Sequence, residues 1–173
     1  MTSVQWLTLG IAVLGAVLGV INTLHQLTRN RVRLKVIPKV DFMLGNEIAA
    51  ATDRDDDLFQ KMVENRRPAR ICIEVVNLGC VPVTISDVGF VLKKGGTRKV
   101  IVAPEVTKGK TWPTRLDPRE AVTAYAPIGA EIEPEVALRG LAYATTDCDH
   151  TRYGSSAAMR EYGRLRLAAR AAK

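Results

Sequence analysis

The sequence is short of the side chains that usually carry chemistry. In 173 residues there are two histidines, His25 and His150, and three cysteines, Cys72, Cys80 and Cys148. Structural zinc sites need four Cys or His ligands at paired short spacings, and no such pattern is present. Three cysteines cannot all pair within one chain, which excludes a closed disulfide framework and fits free thiols in a reducing compartment. There is no phosphate-binding loop: Gly95-Gly96 is not followed by Gly-Lys-Ser/Thr and reads as a hairpin turn after Lys94. The run Asp53, Asp55, Asp56, Asp57 is rich in oxygen but lacks the glycine and terminal Glu of an EF-hand at their spacing. Asp147-Cys148-Asp149-His150 are adjacent positions that cannot converge on one ion, and no third group orients a Cys–His pair; they read as a polar turn. No catalytic residue, cofactor or metal ligand is assigned. Aromatics make up only 5% of the chain, so Val, Ile, Leu and Ala must build its core.

One absence is of another kind. From Val4 to Leu27 there is no Asp, Glu, Lys or Arg. As a helix this run reaches roughly 36 Å, enough for a hydrocarbon layer of about 30 Å, and Trp6 lies near one end, where an indole suits the interface. The run has no basic leader and is too long for a signal peptide, so an uncleaved transmembrane anchor is expected over residues 1–28. Within it Ala12, Gly15, Ala16 and Gly19 line one stripe, and Gly15 and Gly19 make a GxxxG step suited to self-association. Past the run the charge changes abruptly, with Arg29, Arg31, Arg33, Lys35 and Lys39. That imbalance predicts a single-pass protein of the cell inner membrane, with its N-terminus outside and its C-terminal domain cytoplasmic.

Residues 29–155 read as one mainly β domain. Arg31 to Leu44 alternates Val32, Leu34, Val36 with Arg31, Arg33, Lys35, and Pro38 suggests an edge or a bulge. Residues 46 to 68 break the pattern, as a short helix with acids first and bases last or as an acidic loop. Ala69 to Asn77 is a strand, and Asn77-Leu78-Gly79 turns the chain. Val81 to Lys93 is another strand, kinked near Ser86-Asp87; Arg98 to Ala103 returns from the hairpin. Lys108 to Pro118 reads as a loop around Trp112. Ala121 to Ala126, Ala137 to Thr145 and the edge Arg152 to Ser155 complete about seven strands, the pattern of an antiparallel sandwich.

The run Ile73-Glu74-Val75-Val76-Asn77-Leu78-Gly79, followed by Pro82-Val83-Thr84-Ile85, resembles the B–C region of immunoglobulin-like domains in bacterial surface and adhesion-type repeats. The likeness covers roughly residues 31 to 155 and extends to bacterial proteins with one N-terminal anchor and one such domain. It implies an immunoglobulin-like β-sandwich and carries over no activity and no site residues. The chain departs from antibody domains in lacking their Cys–Trp–Cys arrangement.

Residues 156–173 read as a basic C-terminal helix. Ala158, Tyr162, Leu165, Ala169 and Ala172 form its apolar stripe, and Arg160, Arg164, Arg166, Arg170 and Lys173 lie off it. The stripe either docks on the sandwich or rests on anionic lipid. With a net charge of +7 and a membrane at hand, Arg29, Arg31, Arg33, Lys35, Arg160, Arg164, Arg166 and Arg170 are the expected headgroup contacts. Nucleic acid is the less suitable polyanion, because exposed aromatics are too few to stack bases. The sequence thus points to a membrane-tethered, non-enzymatic interaction module that recruits a protein partner. The alternatives are a ligand-sensing membrane effector that oligomerises through its anchor, and a small enzyme whose site no motif announces.

Overall fold

The computed structural model describes residues 3–29, 31–44, 47–51, 69–94, 96–101, 104–106, 111–127 and 132–171. The charge-free run forms a single helix, α1 (Ser3–Arg29). Its two threonines of the apolar stretch are satisfied internally: the Thr8 hydroxyl donates to Val4 O at 2.9 Å and the Thr23 hydroxyl to Gly19 O at 2.8 Å.

After α1 the chain builds two antiparallel sheets from β1 (Leu34–Leu44), β2 (Glu47–Ala51), β3 (Ala69–Asn77), β4 (Val83–Val91), β5 (Arg98–Val100), β6 (Glu105–Val106), β7 (Thr114–Leu116), β8 (Ala121–Tyr125), β9 (Leu141–Thr146) and β10 (Thr151–Gly154). The first sheet runs β2-β1-β3-β8-β6, and the second β10-β9-β4-β5, with β7 paired to β4. A short helix, α2 (Pro134–Arg139), precedes β9, and α3 (Ala157–Ala171) follows β10. One core draws on both sheets and both helices: Val36, Val40, Ile73 and Val75 from the first sheet, Ile85, Val88 and Phe90 from the second, and Val136, Ala158 and Met159 from the helices.

The alternation around Arg31 holds: Arg31, Arg33 and Lys35 are exposed, while Leu34 and Val36 are buried. The strand itself starts at Leu34. Leu78 N donates to Arg33 O at 2.7 Å, so odd positions of β1 bond toward β3 and even ones toward β2. The β2 pairing reaches only to Val40, so the missing N–H of Pro38 costs this ladder nothing. The expected kink is a register shift between Ile85 and Asp87.

Four readings need correction. Glu47–Ala51, expected to break the pattern, is β2, because it can fold straight back on β1 from Leu44↔Glu47 onward. The acidic run at Asp53–Asp57 lies outside the described residues. The loop around Trp112 contains β7, whose Thr114 and Leu116 are buried beside β4. Ala137 does not open a strand: Pro134 at the first turn and Gly140 at the end bracket α2, and β9 starts at Leu141. With β2, β6 and β7 the strands among the described residues number ten rather than seven.

The tail helix packs by its first half. Ala158, Met159 and Gly163 are buried, Tyr162 and Leu165 partly so, while Ala169 is exposed and Ala172 lies outside the described residues. A side chain at Gly163 would come within 2.4 Å of Leu138 N, so the residue that weakens the helix locally is the one that lets α3 lie on α2.

At the end where β1 begins, Asn77 ties the loops together. It is wholly buried. Its Nδ2 donates to Val81 O at 2.8 Å, Asp117 O at 3.2 Å and Leu116 O at 3.3 Å, and its Oδ1 accepts from Gly79 N at 2.9 Å. Its backbone bonds Glu120 O and Arg119 N, each at 2.9 Å.

Candidate functional site

Two surfaces raised by the sequence can be placed. On α1 the helix window Ser3–Gln26 is long and apolar enough to cross a membrane, and none of it is buried against the rest of the chain. Ala12, Gly15, Ala16 and Gly19 are all exposed, and a side chain at Gly15 or Gly19 would meet nothing within 4 Å. Arg29 closes the helix, and Arg31, Arg33 and Lys35 project from the start of the first sheet.

The tail arginines divide. Arg160 and Arg170 are exposed. Arg164 donates from Nε to Glu161 Oε1 at 3.0 Å, and the Arg166 guanidinium lies 6.0 Å from the Tyr162 ring centre. Arg160 also lines a small, shallow crevice with Pro38, Phe90, Ser156 and Met159. Because β10 ends against Val36, the start of α3 adjoins the early part of β1.

The sequence reading missed two polar clusters on the sheet faces turned away from the core. On the first sheet the register sets Lys39, Cys72, Tyr125 and Glu105 in one cross-strand row, with Asp41 opposite Arg70 in the next. Lys39 Nζ lies 3.1 Å from Glu74 Oε2, Arg70 pairs with Glu105, and the Arg70 guanidinium sits 4.5 Å from the Tyr125 ring centre. Asp41 is only 4% exposed and Cys72 is fully buried. Burial pushes the Asp41 carboxyl above its ordinary value against the pull of Cys72, Lys39 and Arg70. Burial, and then the Asp41 charge, pushes the Cys72 thiol up. Such a thiol stays protonated at neutral pH and is no nucleophile.

On the second sheet the fully buried Tyr143 donates its hydroxyl to Asp87 Oδ2 at 3.0 Å, beneath the Arg98 guanidinium at 5.1 Å from its ring centre. Burial and that hydrogen bond push the Tyr143 phenol up. Among the described residues, buried Asp41 Oδ1, Asp87 Oδ1 and His150 Nε2 have no hydrogen-bond partner. The signal available in the sequence was the polar character of Lys35, Lys39 and Asp41 in β1 and of Arg70 and Glu74 in β3, which alternation alone assigns to solvent.

Cys80 and Cys148 are exposed free thiols in turns. Among the described residues no three His, Cys, Asp or Glu side chains converge to hold a metal ion. No family model, no curated protein and no solved structure matches the chain.

The Asp41 carboxyl binds its proton more tightly folded than unfolded. Its contribution therefore favours the folded state at low pH, and stability falls as pH rises from about 3.9, the ordinary Asp value, through the raised folded one. Asp41→Asn is expected to raise the melting temperature at neutral pH and to flatten its dependence on pH across the acid range. Thermal melts of both proteins between acid and neutral pH check this; a variant less stable at neutral pH, with the slope unchanged, refutes it.

Proposed function

We infer that the protein is a membrane-tethered, non-enzymatic interaction module, anchored by α1 in the cell inner membrane with its β domain on the cytoplasmic face. The observation that carries this reading is the bare apolar surface of α1. Val4, Ile11, Leu14, Leu18 and Ile21 are each more than half exposed, and none of the Ser3–Gln26 window is covered by the rest of the chain. Water tolerates no continuous apolar patch of that size, whereas lipid is its natural solvent. The internally bonded hydroxyls of Thr8 and Thr23 suit that solvent, and the basic residues after α1 favour the cytoplasmic side.

The tethered domain is read as an immunoglobulin-like sandwich. In its support, the pairing orders β1-β3-β8-β6 and β10-β9-β4 have the A-B-E-D and G-F-C sequence of that fold, with β5 where an added C′ strand sits. Lipid headgroups beside Arg29, Arg31, Arg33, Lys35 and the tail arginines, and a protein partner on the sheet faces, are the contacts the reading assigns. A second reading, an effector that oligomerises through α1, is favoured by the open flank at Gly15 and Gly19.

Carbonate washing tests the anchor. The full chain is expected to stay with the membrane pellet, and a chain lacking residues 1–28 to be soluble and to melt cooperatively. Release of the full chain by carbonate refutes the tether. Loss of cooperative melting in the truncated chain makes α1 part of the domain.

A further inference from the structure

We propose that the loop end of the two-sheet domain nearest α1, formed by residues 78–82 and 117–120, is itself a surface that docks on anionic phospholipid, with Leu78 entering the interface and Arg119 meeting headgroups. The proposal rests on the reading that α1 spans a membrane and goes beyond it by naming which side of the domain faces the lipid.

The chain length sets the distance. A side chain at Gly79 would meet Arg31 O at 3.2 Å and Arg33 N at 3.4 Å, and Leu78 N donates to Arg33 O at 2.7 Å. Arg31 follows the last residue of α1 by two positions, a span of at most about 7 Å. The short link lets the loop tip reach the headgroup layer, which adds some 5–7 Å to each side of the hydrocarbon, but does not by itself hold it there.

The tip has the composition that layer selects. Leu78 is 40% exposed at the apex of a turn, and Cys80 and Pro82 beside it are exposed and uncharged. Arg119 stands exposed on a left-handed backbone (φ 68°) and is tied to Asn77 O through its own N–H. The acids of these loops are already engaged: Asp117 lies 3.7 Å from Arg115, and Glu120 Oε2 accepts from Asp117 N. The Asn77 hydrogen bonds hold the two loops in register, so leucine and arginine are presented on a rigid support.

Cys80 supplies a native reporter. The full chain with Cys148→Ser, labelled at Cys80 with a fluorophore, is reconstituted in vesicles containing phosphatidylglycerol and a headgroup-spin-labelled lipid. A control carries the fluorophore at Lys93→Cys, near the end of β4, with Cys80 and Cys148 changed to Ser. Quenching at Cys80 is expected to exceed the control severalfold and to fall toward it in Leu78→Asp and in Arg119→Glu. Equal quenching at both positions in a chain that resists carbonate overturns the docking surface and leaves the anchor standing. Strong quenching that neither substitution alters assigns the proximity to the tether alone and also overturns it. A chain that carbonate strips from the vesicles overturns the anchor and the proposal together.

Discussion

Asn77→Ala is expected to destabilise the protein by about 3–5 kcal/mol, among the largest effects a single side chain produces. The deletion takes the amide donor from the carbonyls of Val81 and Leu116 and the acceptor from the N–H of Gly79, while the Asp117 carbonyl keeps the Glu120 N–H at 3.0 Å. Asn77 is fully buried, so the vacated space is closed from bulk water, and each unsatisfied group carries a desolvation cost of about 1–3 kcal/mol, partly relieved by relaxation. Asn77→Asp is the sharper variant. It preserves shape and the acceptor for Gly79, removes the donors to three carbonyls, and puts a carboxylate in a closed site. Thermal denaturation of the full chain in detergent, followed by circular dichroism, measures both. A cost below about 1 kcal/mol for the alanine variant means that water replaces the amide, and the knot does not organise this end.

Gly154→Ala is expected to cost a similar amount, about 3–5 kcal/mol, for a steric reason. Its added carbon would sit 1.7 Å from Val36 O and 2.7 Å from Val36 C. Both are backbone atoms of a strand paired with β3, so neither can rotate aside. The strain is relieved only if β10 parts from β1, which loosens the burial of Val36, Ala158 and Met159. Gly96→Ala is the control: its new carbon would meet Lys93 O at 3.1 Å in an exposed hairpin, where a shift of a few tenths of an ångström suffices. Its cost should stay within about 1 kcal/mol. Equal melting temperatures for Gly154→Ala and the parent would show that β10 and β1 separate at no cost.

The strands with a clean period of two were legible from the residues. Ile71, Ile73 and Val75 locate β3 to its ends, and Ser86-Asp87 marks the register shift. What failed was short or carried a conflicting signal. Thr114-Arg115-Leu116 alternates correctly but for three residues only, between a proline-bearing loop and a turn. Pro134 suits the first turn of a helix, but the apolar residues from Ala137 run on into β9 and read as one strand. Asn77 was read as a turn former, which it is; that its side chain binds a loop some forty residues away is tertiary information. Asp41 and Cys72 were illegible for the same reason. Alternation assigns them to the outer face, and only the assembled sheet shows that the outer face is itself covered there.

The contact between Gly154 and Val36 joins the first strand to the last, and so it fixes an order of events during synthesis. At about 5–20 residues per second, on the order of ten seconds pass between the making of α1 and the making of α3. Through that interval β1 lacks β10, β9 and the helix that close its inner face, and loop closure across nearly the whole chain is slow even once they are present. If α1 is the anchor proposed above, a helix released so early would partition into lipid long before the sheets can form. On the tethered reading the domain therefore folds as a chain already fastened at one end, confined to a thin shell beside the bilayer.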